Sequence, residues 1–121
     1  MNEDFKRSNS TRSGAGTETS VSGLLAASDT PVTLFSLSWC SFCHAAKQLL
    51  ASMDIPYTEH VLDRGALSEP QLNSELRRQL TDLTRSRTLP QVFVGSINVG
   101  GYTETLAAAR NGKLKELLNH G

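Results

Sequence analysis

The feature that most constrains this chain is its single pair of cysteines, Cys40 and Cys43, which stand three positions apart. The apolar run over 32–37 that precedes them is typical of a short buried strand. After them, apolar side chains recur at helical spacing from residue 45 to residue 53. The pattern therefore places Cys40 where a strand gives way to a helix, with Cys43 one turn later and close enough to bridge it.

That position has chemical consequences for Cys40. The first turn of a helix offers unpaired N–H groups and the positive end of the helix dipole, and both stabilise a thiolate. The thiolate is the attacking form of a cysteine. We therefore expect Cys40 to be an exposed nucleophile and Cys43 to be the resolving thiol, more buried and less acidic.

Two other interpretations of the pair are weaker. A zinc half-site would need two more ligands, and the only histidines are His44, His60 and His120. His44 follows Cys43 directly and would project away from it on a helix. A structural disulfide would close too short a loop to stabilise the fold much. A redox pair is favoured, because Cys-x-x-Cys beside a βαβ pattern is typical of one.

The rest of the pattern predicts an α/β fold. The first two strands flank a helix and should run parallel through a right-handed crossover. The last two strands are joined by a tight turn at Gly95-Ser96 and should be antiparallel. Besides the elements around the cysteines, the predicted elements are a helix over 21–28, a strand over 57–62, a helix over 69–83, strands starting at 92 and 97, and helices over 103–109 and 114–118.

The first 20 residues differ from the remainder. They are rich in Ser, Thr and Gly, contain one aromatic, and predict a disordered extension; residues 21–121 form the predicted domain. Three basic residues and many hydroxyls would suit a transit peptide, but Glu3 and Asp4 argue against one. We expect a cytoplasmic location and leave import into a mitochondrion or plastid open.

Charge and hydropathy limit the partners. The chain carries 12 Lys and Arg against 12 Asp and Glu, so its net charge is zero. A neutral chain argues against nucleic acid or an anionic membrane surface as the main partner. In addition, no segment is apolar and long enough to span a bilayer.

Two further features stand near the predicted third strand. Pro90 in Thr88-Leu89-Pro90 marks a strand start or a special turn. If the bond before it were cis, Leu89 could pair with an extended peptide; an ordinary trans proline is the alternative. Gly100-Gly101 permits close backbone approach before a helix start that could bind an anion, although the pair could also form a plain turn.

Taken together, these features resemble a glutaredoxin. The matching segments are residues 32–36 with 39–43, residues 86–94, and residues 97–102. The resemblance implies a thioredoxin fold, with a four-stranded mixed sheet flanked by helices, and glutathione as the electron donor. It also implies that Pro90 is cis.

The resemblance assigns the glutathione contacts. The cysteine part of glutathione would pair with Leu89, and its γ-glutamyl carboxylate would bind at the helix start after the double glycine. A residue near Arg87 would hold the glycine carboxylate, as a cation should. The expected binding residues are Arg87, Thr88, Leu89, Pro90, Gly101, Tyr102, Thr103 and Glu104.

This sequence departs from the family pattern at two of these places. Leu37 stands where the family usually has a lysine that contacts the glycine carboxylate, which predicts weaker glutathione binding. Glu104 stands where an aspartate is common, and its longer side chain can still reach the glutathione amino group. Elsewhere, four arginines (Arg77, Arg78, Arg85 and Arg87) form either a basic edge for acidic substrates or a solvated face.

Ser41 leaves a second function open. Most dithiol members carry Pro-Tyr between the cysteines, whereas members with Ser resemble a subset that holds a two-iron two-sulfur cluster between two subunits. Cys40 of each chain and two glutathione thiolates would then supply four sulfur ligands. The chain is thus expected to act either as a monomeric glutathione-dependent reductase of glutathionylated and disulfide-containing proteins, or as a cluster-bridged dimer with weak oxidoreductase activity.

Overall fold

Strand β1 (Val32–Ser36) lies inside a four-stranded mixed sheet and pairs with a strand on each side. It runs parallel to β2 (Tyr57–Val61) and antiparallel to β3 (Gln91–Val94), which in turn pairs antiparallel with β4 (Ile97–Gly100). The sheet order is β2-β1-β3-β4. All residues of β1 and β3 are buried, as expected for strands covered on both faces.

The computed structural model describes residues 19–120. The first 18 residues, on which most of the predicted disordered extension falls, lie outside this range. Each predicted strand and helix is found within two residues of its expected ends, whereas a short 3-10 helix over Gly65–Ser68 was not predicted. The helices are α1 (Val21–Ala27), α2 (Ser41–Ser52), α3 (Pro70–Thr84), α4 (Tyr102–Arg110) and α5 (Lys113–His120).

Side chains alternate between the two faces of the sheet and build a core on each. On one face Phe35 and Phe93 meet edge to face at 5.7 Å and pack against α1 and α3. On the other face Leu34 and Val92 pack against α2, α4 and α5. Cys40 and Cys43 belong to the Phe35 core, so the cysteine pair is anchored in the folded interior.

His60 lies on β2 with its ring 5.4 Å from the ring of Phe35. Its Nε2 atom is buried and has no hydrogen-bond partner among the described residues. Burial lowers the pKa of this histidine below its ordinary value of 6.5, because the charged ring would lose hydration without gaining a partner. The fold therefore favours neutral His60.

This burial predicts a loss of stability in mild acid. As the pH falls below 6.5, the unfolded chain takes up a proton that folded His60 resists, so the free energy of unfolding decreases; above 6.5 this contribution is fully present. In urea titrations at about pH 7.5 and about pH 5.5, His60→Leu should show a smaller decrease than the unmodified chain.

The matched control is His44→Gln, because it removes an exposed histidine and leaves His60 in place. An equal decrease in the unmodified chain and in His60→Leu would contradict this account.

Candidate functional site

Cys40 occupies the N-cap position of α2, directly after the turn that follows β1. Its backbone is extended, and its sulfur accepts a hydrogen bond from the Cys43 N–H at 3.2 Å. In this position the cysteine does what a serine or an aspartate does at other helix starts, where a side-chain atom satisfies a free N–H. The same N–H and the helix dipole stabilise negative charge on the Cys40 sulfur.

Cys40 is less exposed than the sequence predicted. Only 8% of its surface is accessible, because Leu37 and Leu89 pack beside it. Its thiol also donates to the Leu89 carbonyl at 3.6 Å. The exposed groups are instead its aromatic neighbours, with Trp39 75% and Phe42 61% accessible. The expectation of an exposed Cys40 is therefore wrong, since a segment 49 residues away covers it.

Cys43 is fully buried. Burial, followed by its hydrogen bond with the Cys40 side chain, raises the pKa of the Cys43 thiol to about 12. Both cysteines are free thiols. Cys43 is thus the more buried of the two thiols, as expected, and its role as the resolving thiol stays a prediction.

An aspartate holds the segment that leads into Cys40, and sequence reasoning missed it. The Asp63 carboxylate accepts from the Ser38 N–H at 3.0 Å and from the Ser38 hydroxyl at 2.7 Å. The hydroxyl contact is the main cause that lowers the pKa of Asp63. Asp63 follows β2, which runs parallel to β1, and parallel strands end at the same edge of a sheet. This pattern could have predicted that Asp63 lies beside the end of β1.

The opposite wall of the site begins at the Leu89–Pro90 peptide bond, which is cis, as the resemblance implied. A cavity of about 280 Å³ opens beside it. Seven of the eight predicted glutathione-binding residues line this cavity, together with Phe42. The exception, Arg87, lines an adjoining cavity that shares Thr88 and Leu89 with the first. The seven are Thr88, Leu89, Pro90, Gly101, Tyr102, Thr103 and Glu104.

The third wall is the start of α4. The Glu104 carboxylate accepts from the Gly101 N–H at 2.8 Å, so this side chain caps its own helix. Tyr102 stacks on Phe42 with ring centroids 6.1 Å apart, which ties α4 to the first turn of α2. Gly100 has a φ of +124°, and a Cβ there would lie 2.7 Å from the Glu104 Cβ. The double glycine thus allows the Glu104 side chain to lie against the backbone.

This close approach makes Gly100 sensitive to substitution. Gly100→Ala combines an unfavourable φ with a clash, whereas Gly112→Ala meets an unfavourable φ of +82° but open space. In urea unfolding, we expect Gly100→Ala to cost about 1–3 kcal/mol more than Gly112→Ala, since overpacking has that size. Equal costs would show that the close contact with Glu104 does not matter.

None of the helices formed within residues 19–120 is long and apolar enough to cross a membrane. Over the same residues, no group of three or more His, Cys, Asp or Glu side chains is placed to hold a metal ion.

Comparisons with known proteins agree on one family. The glutaredoxin family model matches residues 32–97. A glutaredoxin of Pseudomonas aeruginosa is 36% identical over 89 residues, which cover 74% of this chain and 96% of that protein. Monothiol glutaredoxin-S10 of Oryza sativa subsp. japonica is 36% identical over 106 residues, covering 88% of this chain and 61% of that protein.

A solved structure agrees as well. The crystal structure of a buckwheat glutaredoxin–glutathione complex matches with a TM-score of 0.70 and 26% sequence identity, over 82% of this chain and 84% of that one. The predicted thioredoxin fold, a four-stranded mixed sheet with flanking helices, is thereby confirmed.

Proposed function

Since this chain belongs to the glutaredoxin family, whose members are generally oxidoreductases, we propose that it is a glutathione-dependent thiol–disulfide oxidoreductase. Its substrates would be protein–glutathione mixed disulfides and protein disulfides. The observation that carries the proposal is the placement of the Cys40 sulfur, which lies at a helix N-terminus, accepts the Cys43 N–H and contacts Leu89 at the edge of a cavity.

Glutathione fits the cavity chemically, and the buckwheat relative was crystallised as a glutathione complex. Its cysteine backbone would pair with Leu89, and its γ-glutamyl carboxylate would lie at the N–H groups of the α4 start, near Tyr102 and Thr103. Arg87 would bind the glycine carboxylate. Leu37 carries no charge and packs in the core with 8% of its surface exposed. It therefore supplies no cation for the glycine carboxylate, which supports weaker glutathione binding than the family pattern implies.

The reaction follows from the difference between the two thiols. The Cys40 thiolate attacks the glutathione sulfur of a mixed disulfide, the Cys40–glutathione disulfide forms, and the protein leaves as a thiolate that takes up a proton. A second glutathione then regenerates Cys40 and leaves as oxidised glutathione. Burial keeps Cys43 protonated, so it does not compete in the first step.

A protein disulfide needs the second cysteine. Cys40 first forms a mixed disulfide with the substrate protein, and Cys43 then attacks the Cys40 sulfur and releases the reduced protein. The Cys43 proton passes to the departing thiolate. Two glutathione molecules reduce the resulting Cys40–Cys43 disulfide.

These roles predict different effects for two variants. Cys43→Ser should retain reduction of a glutathionylated peptide but lose about tenfold or more of protein disulfide reduction, because only the second reaction needs a resolving thiol. Cys40→Ser should lose both. Both reactions are followed by coupling to glutathione reductase.

The control is unfolding of each variant in urea, which separates lost chemistry from lost folding. Loss of peptide deglutathionylation in a folded Cys43→Ser variant would contradict the assignment of the nucleophile.

A second candidate function rests on Ser41 as the first helical residue and on the exposed rings of Trp39 and Phe42 beside Cys40. These rings give a second copy an apolar surface to pack against. In such a dimer Cys40 of each chain would ligate a two-iron two-sulfur cluster, with two glutathione thiolates as the remaining ligands. The cluster would supply electron storage or transfer in place of disulfide exchange.

This alternative predicts a coloured dimer. After oxygen-free reconstitution with iron, sulfide and glutathione, visible absorption and size-exclusion chromatography should show a brown species of twice the monomer mass. Cys43→Ser should retain the colour, and Cys40→Ser should not. A colourless monomer of the unmodified chain would reject the cluster.

A further inference from the structure

The turn that leads from β1 into Cys40 makes little use of its own backbone and packing. It spans residues 37–40, with Ser38 and Trp39 at its centre. Its backbone bond joins the Cys40 N–H to the Leu37 carbonyl at 3.3 Å, which is longer than the usual N–H···O distance of about 2.9–3.0 Å. Trp39 is 75% accessible, so packing contributes little to its position. The turn by itself is therefore a weak support for the reacting sulfur.

Side chains from two other parts of the fold bind all three polar groups of Ser38. The Asp63 carboxylate, which follows β2, accepts from the Ser38 N–H at 3.0 Å and from its hydroxyl at 2.7 Å. On the side of α2, the His44 Nε2 atom lies 3.3 Å from the Ser38 carbonyl oxygen. A carbonyl oxygen only accepts, so the imidazole donates this bond. Ser38 is thus held mainly by Asp63, with a longer and exposed contact from His44.

The turn sets the backbone from which the Cys40 side chain projects. Cys40 is extended, with φ -87° and ψ 117°, and an N-cap residue needs such a backbone for its side chain to reach back over the first helical turn. In this conformation its sulfur accepts the Cys43 N–H at 3.2 Å. An N–H in the first turn of a helix has no backbone carbonyl within reach, so the sulfur is its partner. A displacement of Ser38 would therefore be transmitted to the sulfur.

Asp63 takes no part in the two cavities of the candidate site. It lines neither the cavity beside Pro90 nor the adjoining one. Within residues 19–120, the hydrogen bonds that its side chain makes to other residues both go to Ser38. An effect of Asp63 on the reaction would thus pass through the turn and not through bound glutathione.

We propose that Asp63 is a positioning residue for the nucleophile, which holds Ser38 so that the Cys40 sulfur stays on the Cys43 N–H when it attacks a disulfide. The proposal deepens the proposed function and rests on it. The geometry of the two hydrogen bonds carries the role. The negative charge would have the opposite effect, because a carboxylate near a sulfur disfavours its thiolate.

Two substitutions separate geometry from charge. Asparagine can replace both contacts, since its Oδ1 accepts the Ser38 N–H and its Nδ2 donates to the Ser38 hydroxyl. Asp63→Ala should lower kcat/KM for a glutathionylated peptide by about tenfold or more, because small misplacements of a reacting atom have costs of this size. Asp63→Asn should retain most of the activity. The affinity for S-methylglutathione, which binds without reacting, should stay unchanged in both variants.

Amide hydrogen exchange reports the position of the sulfur directly. Protection of the Cys43 N–H depends on the Cys40 sulfur, so this amide should exchange about tenfold faster in Asp63→Ala, the size expected for the loss of one hydrogen bond. In Asp63→Asn it should stay protected. The amide of Leu50, which is buried farther along α2, should be unchanged in both. A general loss of stability would accelerate both amides.

Two further variants complete the test. Ser38→Ala removes the hydroxyl contact but keeps the N–H contact with Asp63, so both readouts should fall between those of Asp63→Ala and the unmodified chain. This small deletion keeps the test available if Asp63→Ala does not fold. The matched control is Asp29→Ala, which removes an exposed aspartate before the opposite end of β1 and should change neither readout.

Three results would overturn the proposal: an unchanged kcat/KM in Asp63→Ala, an equal loss in Asp63→Ala and Asp63→Asn, or a Cys43 amide that exchanges at the same rate in all variants. Failure of the proposed function would look different. The unmodified chain would then turn over no glutathionylated peptide, whereas the exchange difference between Asp63→Ala and Asp63→Asn would persist.

Discussion

The hydrogen bond from the Cys43 N–H to the Cys40 sulfur is the contact on which the rest of the site depends. This hydrogen bond forms because Cys40 is the N-cap of α2. Helix α2 begins there, a few residues after the end of β1, which is an inner strand of the sheet. A sulfur in this position accepts an N–H that no backbone carbonyl can reach. Sheet, turn and helix together therefore fix one sulfur atom at the positive end of a helix, with Leu89 on its other side.

The two cysteines, one helical turn apart, differ in their surroundings. Cys40 keeps 8% of its surface accessible and its sulfur accepts the Cys43 N–H, while Cys43, one turn later, is fully buried and its pKa is raised to about 12. A thiol that stays protonated cannot compete for the first disulfide, yet it lies close enough to attack once Cys40 has been converted. Burial of Cys43 thus supports the order of the two attacks in the proposed reaction.

The elements and the motif residues could be predicted from the sequence, because they depend on local patterns. Apolar alternation and helical spacing located each strand and helix, and Pro90 and the double glycine marked the two loops of the site. The contacts between distant segments could not be predicted. Three such contacts depend on side-chain positions that only the assembled sheet and helices determine. They are the contact of Leu89 with Cys40, the hydrogen bonds between Asp63 and Ser38, and the ion pair of Arg78 with Asp82.

Leu37 affects where positive charge is found around the site. A lysine at this position would place a cation beside the cysteines, but leucine packs instead into the core with Cys40 and Cys43. Arg87 on the loop and Arg77 on α3 instead line the neighbouring cavity, which shares Thr88 and Leu89 with the cavity beside Pro90. Positive charge for a bound carboxylate is thus available from the far side of residues 88 and 89 and not from the turn before Cys40.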